Sequence, residues 1–225
     1  MGSGGLSIRP TKNILLFLLS SFLLSSCTTS TPPLSTPQLV PVYSSFAAEP
    51  WLSELYDCAV GQGSVILSRV DDPNSAEVAL RIGEPEFLSS FAYQIDEEEI
   101  LVVTHRQSPV QNLTLDEARA LFMGLGDANA PVQVWVYASE EDIQQAFDHF
   151  VMEGRSVTSS ATIAATPQQM SDTLVSEPNT VGILPRHGKA GDSRELLSVA
   201  TVPVLALTPN EPQAVIKELI ACLQK

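Results

Sequence analysis

From Leu39 to Leu223 the chain switches repeatedly between two hydrophobic periods, and this switching confines it to a mixed α/β architecture. Short apolar runs read as strands at Leu39–Tyr43, Ser64–Val70, Val78–Ile82, Phe91–Ile95, Ile100–Thr104, Val132–Tyr137 and Val181–Leu184, with one or two more inside Leu196–Leu207. An acidic stretch separates the fourth and fifth as a turn. Between the runs lie windows of helical spacing. Leu52, Leu55, Tyr56 and Ala59 mark a helix over Phe46–Val60, stopped by Gly61-Gln62-Gly63. Thr114-Leu115-Asp116-Glu117 has the capping-box form, in which hydroxyl and carboxylate satisfy each other's backbone N–H, and Gly124 closes that helix. Ser139 caps a helix carrying Ile143, Ala146, Phe147, Phe150 and Val151 on one face. Thr166-Pro167-Gln168-Gln169 opens another, and Ala214–Leu223 forms a last amphipathic one.

Residues 1–26 stand apart from this pattern. Arg9 and Lys12 precede an apolar run from Ile14 to Leu24, then Ser25 and Ser26 lead to Cys27. Basic, apolar and small-residue regions in that order make an export signal, too short to span a hydrocarbon core of ~30 Å. With Cys placed after the cleavage point, the segment has the form of a bacterial lipobox, which implies lipid on Cys27. An ordinary signal peptide with an incidental Cys would export the chain just the same. Residues 27–38, rich in Ser, Thr and Pro, read as a tether.

Export leaves 225 − 26 = 199 residues, enough for one large domain or two small lobes. It removes two cations and no acid, taking the net charge from −14 to −16. So acidic a chain repels phosphate backbones, which argues against nucleic-acid binding. Cys58 and Cys222 remain; outside the cytoplasm they either pair or stay as two buried thiols. His105, His149 and His187 are scattered, so no metal site is expected.

Three segments carry a family resemblance. ILVVTHRQSPVQNLTLDEARALFMG (from Ile100), VQVWVYASEEDIQQAFDHFV and TPQQMSDTLVSEPNTVGILP resemble, in order and spacing, the phosphate-binding-protein-like group of periplasmic solute-binding proteins. The match covers residues 100–185 well and 39–99 loosely, through a strand, Ser44-Ser45 and a helix. The resemblance implies a two-lobed type II periplasmic-binding-protein fold, α/β in class, with a hinge of two crossover strands. One lobe would combine 39–102 and 182–225, the other 103–181, with ligand held between them. A small-molecule solute and an ABC-type membrane permease are the implied partners, no cofactor is expected, and a monomer is.

Ligand-binding candidates follow from the same resemblance for Ser44, Ser45 and Ser139, and from position and side-chain chemistry for Arg81, Tyr137 and Thr166. Ser44 and Ser45 would offer hydroxyl and backbone donors to an oxyanion such as phosphate, and Arg81 a guanidinium fork. Ser139 stands where the family has a Ser-Gly-Thr loop, Tyr137 beside it at the strand's end, and Thr166 at a later helix start. Plain capping is the competing reading for Ser45 and Thr166, and a solvated strand edge for Arg81. Against phosphate stands Ser139-Glu140-Glu141-Asp142 itself, where each acid would oppose an anion by roughly 1–4 kcal/mol at 4 Å.

No Gly-x-Ser-x-Gly elbow, Cys–His signature or phosphate-cradling Gly loop is present, so no enzymatic activity is expected. The sequence therefore points to an extracytoplasmic solute-binding lipoprotein, anchored to the bacterial cell membrane and serving an ABC-type permease. The alternative is a non-transport scaffold or sensory module of the same fold with a degraded pocket.

Overall fold

The computed structural model describes residues 1–2, 37–87, 90–126 and 131–225. The export signal from residue 3 on, Cys27 and the tether up to residue 36 lie outside the described residues. No helix among those described is long and apolar enough to cross a membrane.

β1 (Gln38–Ser44) runs parallel to β2 (Val65–Arg69) on one side and β3 (Val78–Ile82) on the other. α1 (Glu49–Gln62) connects β1 to β2, ending at Gly63, whose φ of 65° is the left-handed conformation that glycine adopts without Cβ strain. β4 (Phe91–His105) and β8 (Ser193–Thr208) are the longest strands and pair antiparallel along their lengths. α2 (Leu115–Phe122) leads to β5 (Gln133–Val136), and α3 (Asp142–Phe147) to β6 (Thr162–Ile163). α4 (Pro167–Ser176), β7 (Thr180–Pro185) and, after β8, α5 (Ala214–Leu223) complete the order.

The sheet reads β2-β1-β3-β8-β4-β7-β5-β6. β3 pairs with Val204–Leu207 of β8, whereas β7 pairs with Ile100–Thr104 of β4. The β4/β8 ribbon thus carries one half-sheet near one end and a second near the other. Its register shifts between Gln94 and Asp96, at Ile100/Leu101 and at Val102/Val103, and such bulges bend and twist a strand. β7 pairs with both β4 and β5 and is buried throughout, as a central strand should be.

Three local expectations change. The acidic stretch Asp96–Glu99 is no turn: Phe91–Ile95 and Ile100–Thr104 are parts of one strand, because the acids find distant partners. Asp96 accepts from Trp51 Nε1 (3.0 Å), and the buried Glu98 accepts from Arg186 N (2.9 Å) and pairs with His187. Leu196–Leu207, expected to hold one or two strands, lies in a single one. β1 begins at Gln38, the last residue assigned to the tether. The helix expected from Ser139 starts at Asp142, and after Phe147 it widens into a π turn over Asp148–Met152, leaving Phe150 exposed.

The core is continuous across both half-sheets. Leu55, Leu80, Ile82, Leu101, Ile143, Leu174 and Ile183 are fully buried, each side chain contributing about 1.5–3 kcal/mol by removal from water. Phe122 and Phe147 pack with ring centroids 4.5 Å apart. Cys58 of α1 and Cys222 of α5 are joined by a disulfide.

Candidate functional site

The two half-sheets meet where the C-terminal ends of β1 and β3 face the start of α3. Ser45 leaves β1 in an extended conformation ahead of a 3₁₀ turn, Phe46–Ala48, and its backbone N–H donates to Leu80 O (3.0 Å). Its hydroxyl caps nothing; it donates to Asp142 Oδ2 at 2.6 Å, across 97 residues of sequence. Ile82 N donates to the same oxygen at 2.8 Å, and Ile143 N to Oδ1 at 2.8 Å. Ser45, Ile82 and Asp142 are all buried.

Arg81 flanks this contact. Its Nε donates to Gly83 O (3.1 Å) and its Nη2 to Gln145 Oε1 (3.1 Å), a second link between the half-sheets. Gly83 takes φ 67°, and a Cβ there would lie 3.9 Å from that of Ala146, so the two halves touch. Burial pushes the Arg81 guanidinium below its ordinary value, against the upward pull of Asp142. Burial also lifts the Asp142 carboxyl above the usual range, outweighing the hydrogen bonds from Ser45 and Ile82 and the charge of Arg81. Glu141 is raised by burial and then by Asp142 and Glu140; Tyr43 is raised by burial and then by Glu141 and Asp142.

Of the six ligand candidates, Ser45 and Arg81 come together at this seam. Ser44 is buried next to them, its hydroxyl donating to Ser45 O at 2.9 Å. Tyr137 is buried elsewhere: its hydroxyl donates to Ile183 O (2.9 Å) and its N–H to Gln144 Oε1 (2.9 Å), and burial raises its phenol. Ser139 is exposed on a turn with its hydroxyl on Glu140 (3.2 Å). Thr166 caps α4, accepting from Gln169 N at 3.1 Å. Sequence reasoning did not single out Ile82 N–H, Gln145 or Tyr43. It counted Asp142 among three acids crowding a helix start, although apolar Ile143, Ala146 and Phe147 around it are the signal of a buried position.

Two further features lie outside the seam. A groove of about 660 Å³ runs between α1, β4 and α5, walled by Glu54, Asp57, Asp96 and Lys225 beside the disulfide. Among the described residues, no group of three His, Cys, Asp or Glu side chains is arranged to hold a metal ion.

No protein-family model matches the chain, and no curated protein matches it. Solved structures do. A putative phosphate ABC transporter substrate-binding protein with bound phosphate from Clostridium perfringens superposes with a TM-score of 0.69 at 15% identity, covering 83% of this chain and 93% of that one. An ABC-type phosphate transport receptor from Vibrio cholerae gives 0.62 at 13%, over 83% and 93%. The CcmR regulatory domain of Synechocystis PCC6803, in complex with 2-PG, gives 0.62 at 9%, over 83% and 95%. The chain therefore has the α/β fold of type II periplasmic binding proteins, shared by transport receptors and two-lobed regulatory domains. At these identities the likeness is one of fold alone.

Proposed function

We propose that this chain is an extracytoplasmic solute-binding protein, held to the bacterial cell membrane by lipid on Cys27 and delivering a small solute to an ABC-type permease. The observation that carries the reading is the seam: hydroxyl, amide and guanidinium donors of one half-sheet face carboxylate and carboxamide groups of the other, and both halves hang on the β4/β8 ribbon. A solute whose contacts differ between open and closed arrangements would shift their populations, and only the differential affinity does so. The transport receptors among its structural neighbours support this reading, as does the export signal. The partners at Ser45 suit binding rather than nucleophilic catalysis, since its hydroxyl gives its hydrogen to a carboxylate with no histidine in the contact.

Isothermal titration against a panel of anionic, neutral and cationic solutes, with mass spectrometry of any co-purified ligand, tests the proposal. Saturable binding of one solute class supports it; silence of the folded protein across the panel refutes it.

The alternative reading is a sensory or scaffold module. Asp142 already fills the centre of the seam, and the neighbours include a regulatory domain as well as transport receptors. Binding to a protein partner by an otherwise solute-silent chain would support that reading.

A further inference from the structure

Asp142 is an expensive residue to place where it is. It is 5% exposed, and a buried carboxylate persists only when its hydrogen-bonding capacity is met. Here it is met largely by the opposite half-sheet. Oδ2 receives the Ser45 hydroxyl at 2.6 Å, a length typical of O–H···O⁻ contacts, and the Ile82 amide at 2.8 Å. Oδ1 receives Ile143 N, within its own helix, and the Arg81 guanidinium supplies the nearest opposite charge. Every one of these partners is a donor, so the contacts fit the ionised form.

A hydroxyl and a peptide N–H that share one acceptor, with a guanidinium nearby, are groups that recognise an oxyanion. The protein meets their demand from within. We infer that Asp142 is a specificity determinant: its carboxylate occupies an oxyanion seat formed by the Ser45 hydroxyl and Ile82 N–H beside Arg81, excludes free tetrahedral oxyanions from it, and leaves the seam to uncharged or cationic solutes. The inference rests on reading the seam as a solute site and adds which solutes that site refuses.

The exclusion has two sources. The carboxylate takes the donors, and its charge repels a second anion by roughly 1–4 kcal/mol at 4 Å. Replacing Asp142 by glycine removes a carboxymethyl group comparable in bulk to a small oxyanion and leaves the Ser45 and Ile82 donors without their acceptor. Buried donors left in that state favour any anion that can reach them.

Inorganic phosphate and sulfate are titrated calorimetrically into the wild-type chain, Asp142→Gly, and Asp142→Gly with Ser45→Ala. The wild type is expected to give no saturable heat at millimolar anion. Asp142→Gly should bind at sub-millimolar anion, and the added Ser45→Ala should weaken that by about tenfold, or 1.4 kcal/mol. A folded Asp142→Gly that is silent towards both anions, or a wild type that binds them as tightly, overturns the inference. Should Asp142→Gly be too unstable to titrate, its refolding yield with and without phosphate decides: an anion-dependent gain supports the seat, and no gain overturns it. The two readings also separate. A wild type that binds a neutral solute beside a silent Asp142→Gly defeats the inference and spares the transport proposal. An anion-binding Asp142→Gly beside a solute-silent wild type does the reverse.

Discussion

Cutting the Cys58–Cys222 link should remove a large share of the protein's stability. The two half-cystines are 164 residues apart, so the closed loop contains every strand from β2 to β8. In the chain-entropy account, a loop of that size restrains the unfolded ensemble by about 5 kcal/mol at 25 °C. Residual structure in the denatured chain lowers the figure, so a loss of about 3–5 kcal/mol is expected for Cys58→Ser with Cys222→Ser. That is a large fraction of the roughly 5–15 kcal/mol that holds a typical domain folded, and corresponds to a fall in Tm of about 6–20 °C. The assay is urea unfolding followed by circular dichroism, comparing the oxidised protein with the double variant. If the effect resides in the unfolded state, the midpoint drops and the m-value rises, because the uncrosslinked chain exposes more surface. A loss below about 1 kcal/mol, or a destabilisation of 3–5 kcal/mol with the m-value unchanged, would refute the reasoning.

Other outcomes are as specific. Gly182→Ala should cost about 1–3 kcal/mol in the same assay, because a Cβ at that position lies 2.4 Å from the sulfur of the fully buried Met170; an unchanged midpoint would mean α4 yields freely on β7. Glu98→Gln should cost about 1–3 kcal/mol, since it removes the buried negative charge that accepts from Arg186 N and Glu99 N and faces His187; wild-type stability in the variant would show that charge to be dispensable. Asp142 should make stability depend on pH. Burial raises its pKa in the folded state, so the folded chain holds the proton more tightly; this contribution is full below the ordinary Asp value of 3.8 and is lost as pH rises through the raised one. The stability of Asp142→Asn relative to wild type should therefore climb from about pH 3 towards 7, and a constant gap across denaturant melts in that range would contradict it.

What the chain declares about itself depends on how local the cause is. The Thr114/Glu117 capping box, the Thr166 cap and the helix over Ala214–Leu223 were legible because their hydrogen bonds or apolar faces lie within a few residues. The alternation of periods likewise gave the α/β class. Reading Asp96–Glu99 as a turn failed because Trp51, Arg186 and His187 stabilise these acids from far away in sequence, and no periodicity announces that. Asp142 is the same problem in the site: a first-turn acid is usually solvated, and only the arrival of Ser45 and Ile82 makes its burial affordable. Ser45 and Arg81 were visible as residues of the right chemistry, whereas their common partner was not.

The two long strands also dictate an order of events. Ile82 pairs with Val204, 204 − 82 = 122 positions later, so β3 keeps an open edge until nearly the whole polypeptide has been delivered. Contacts that distant form slowly, and an unsatisfied strand edge invites pairing with other chains. A molecule wired this way closes its first half-sheet late, only once its last third is available to pair.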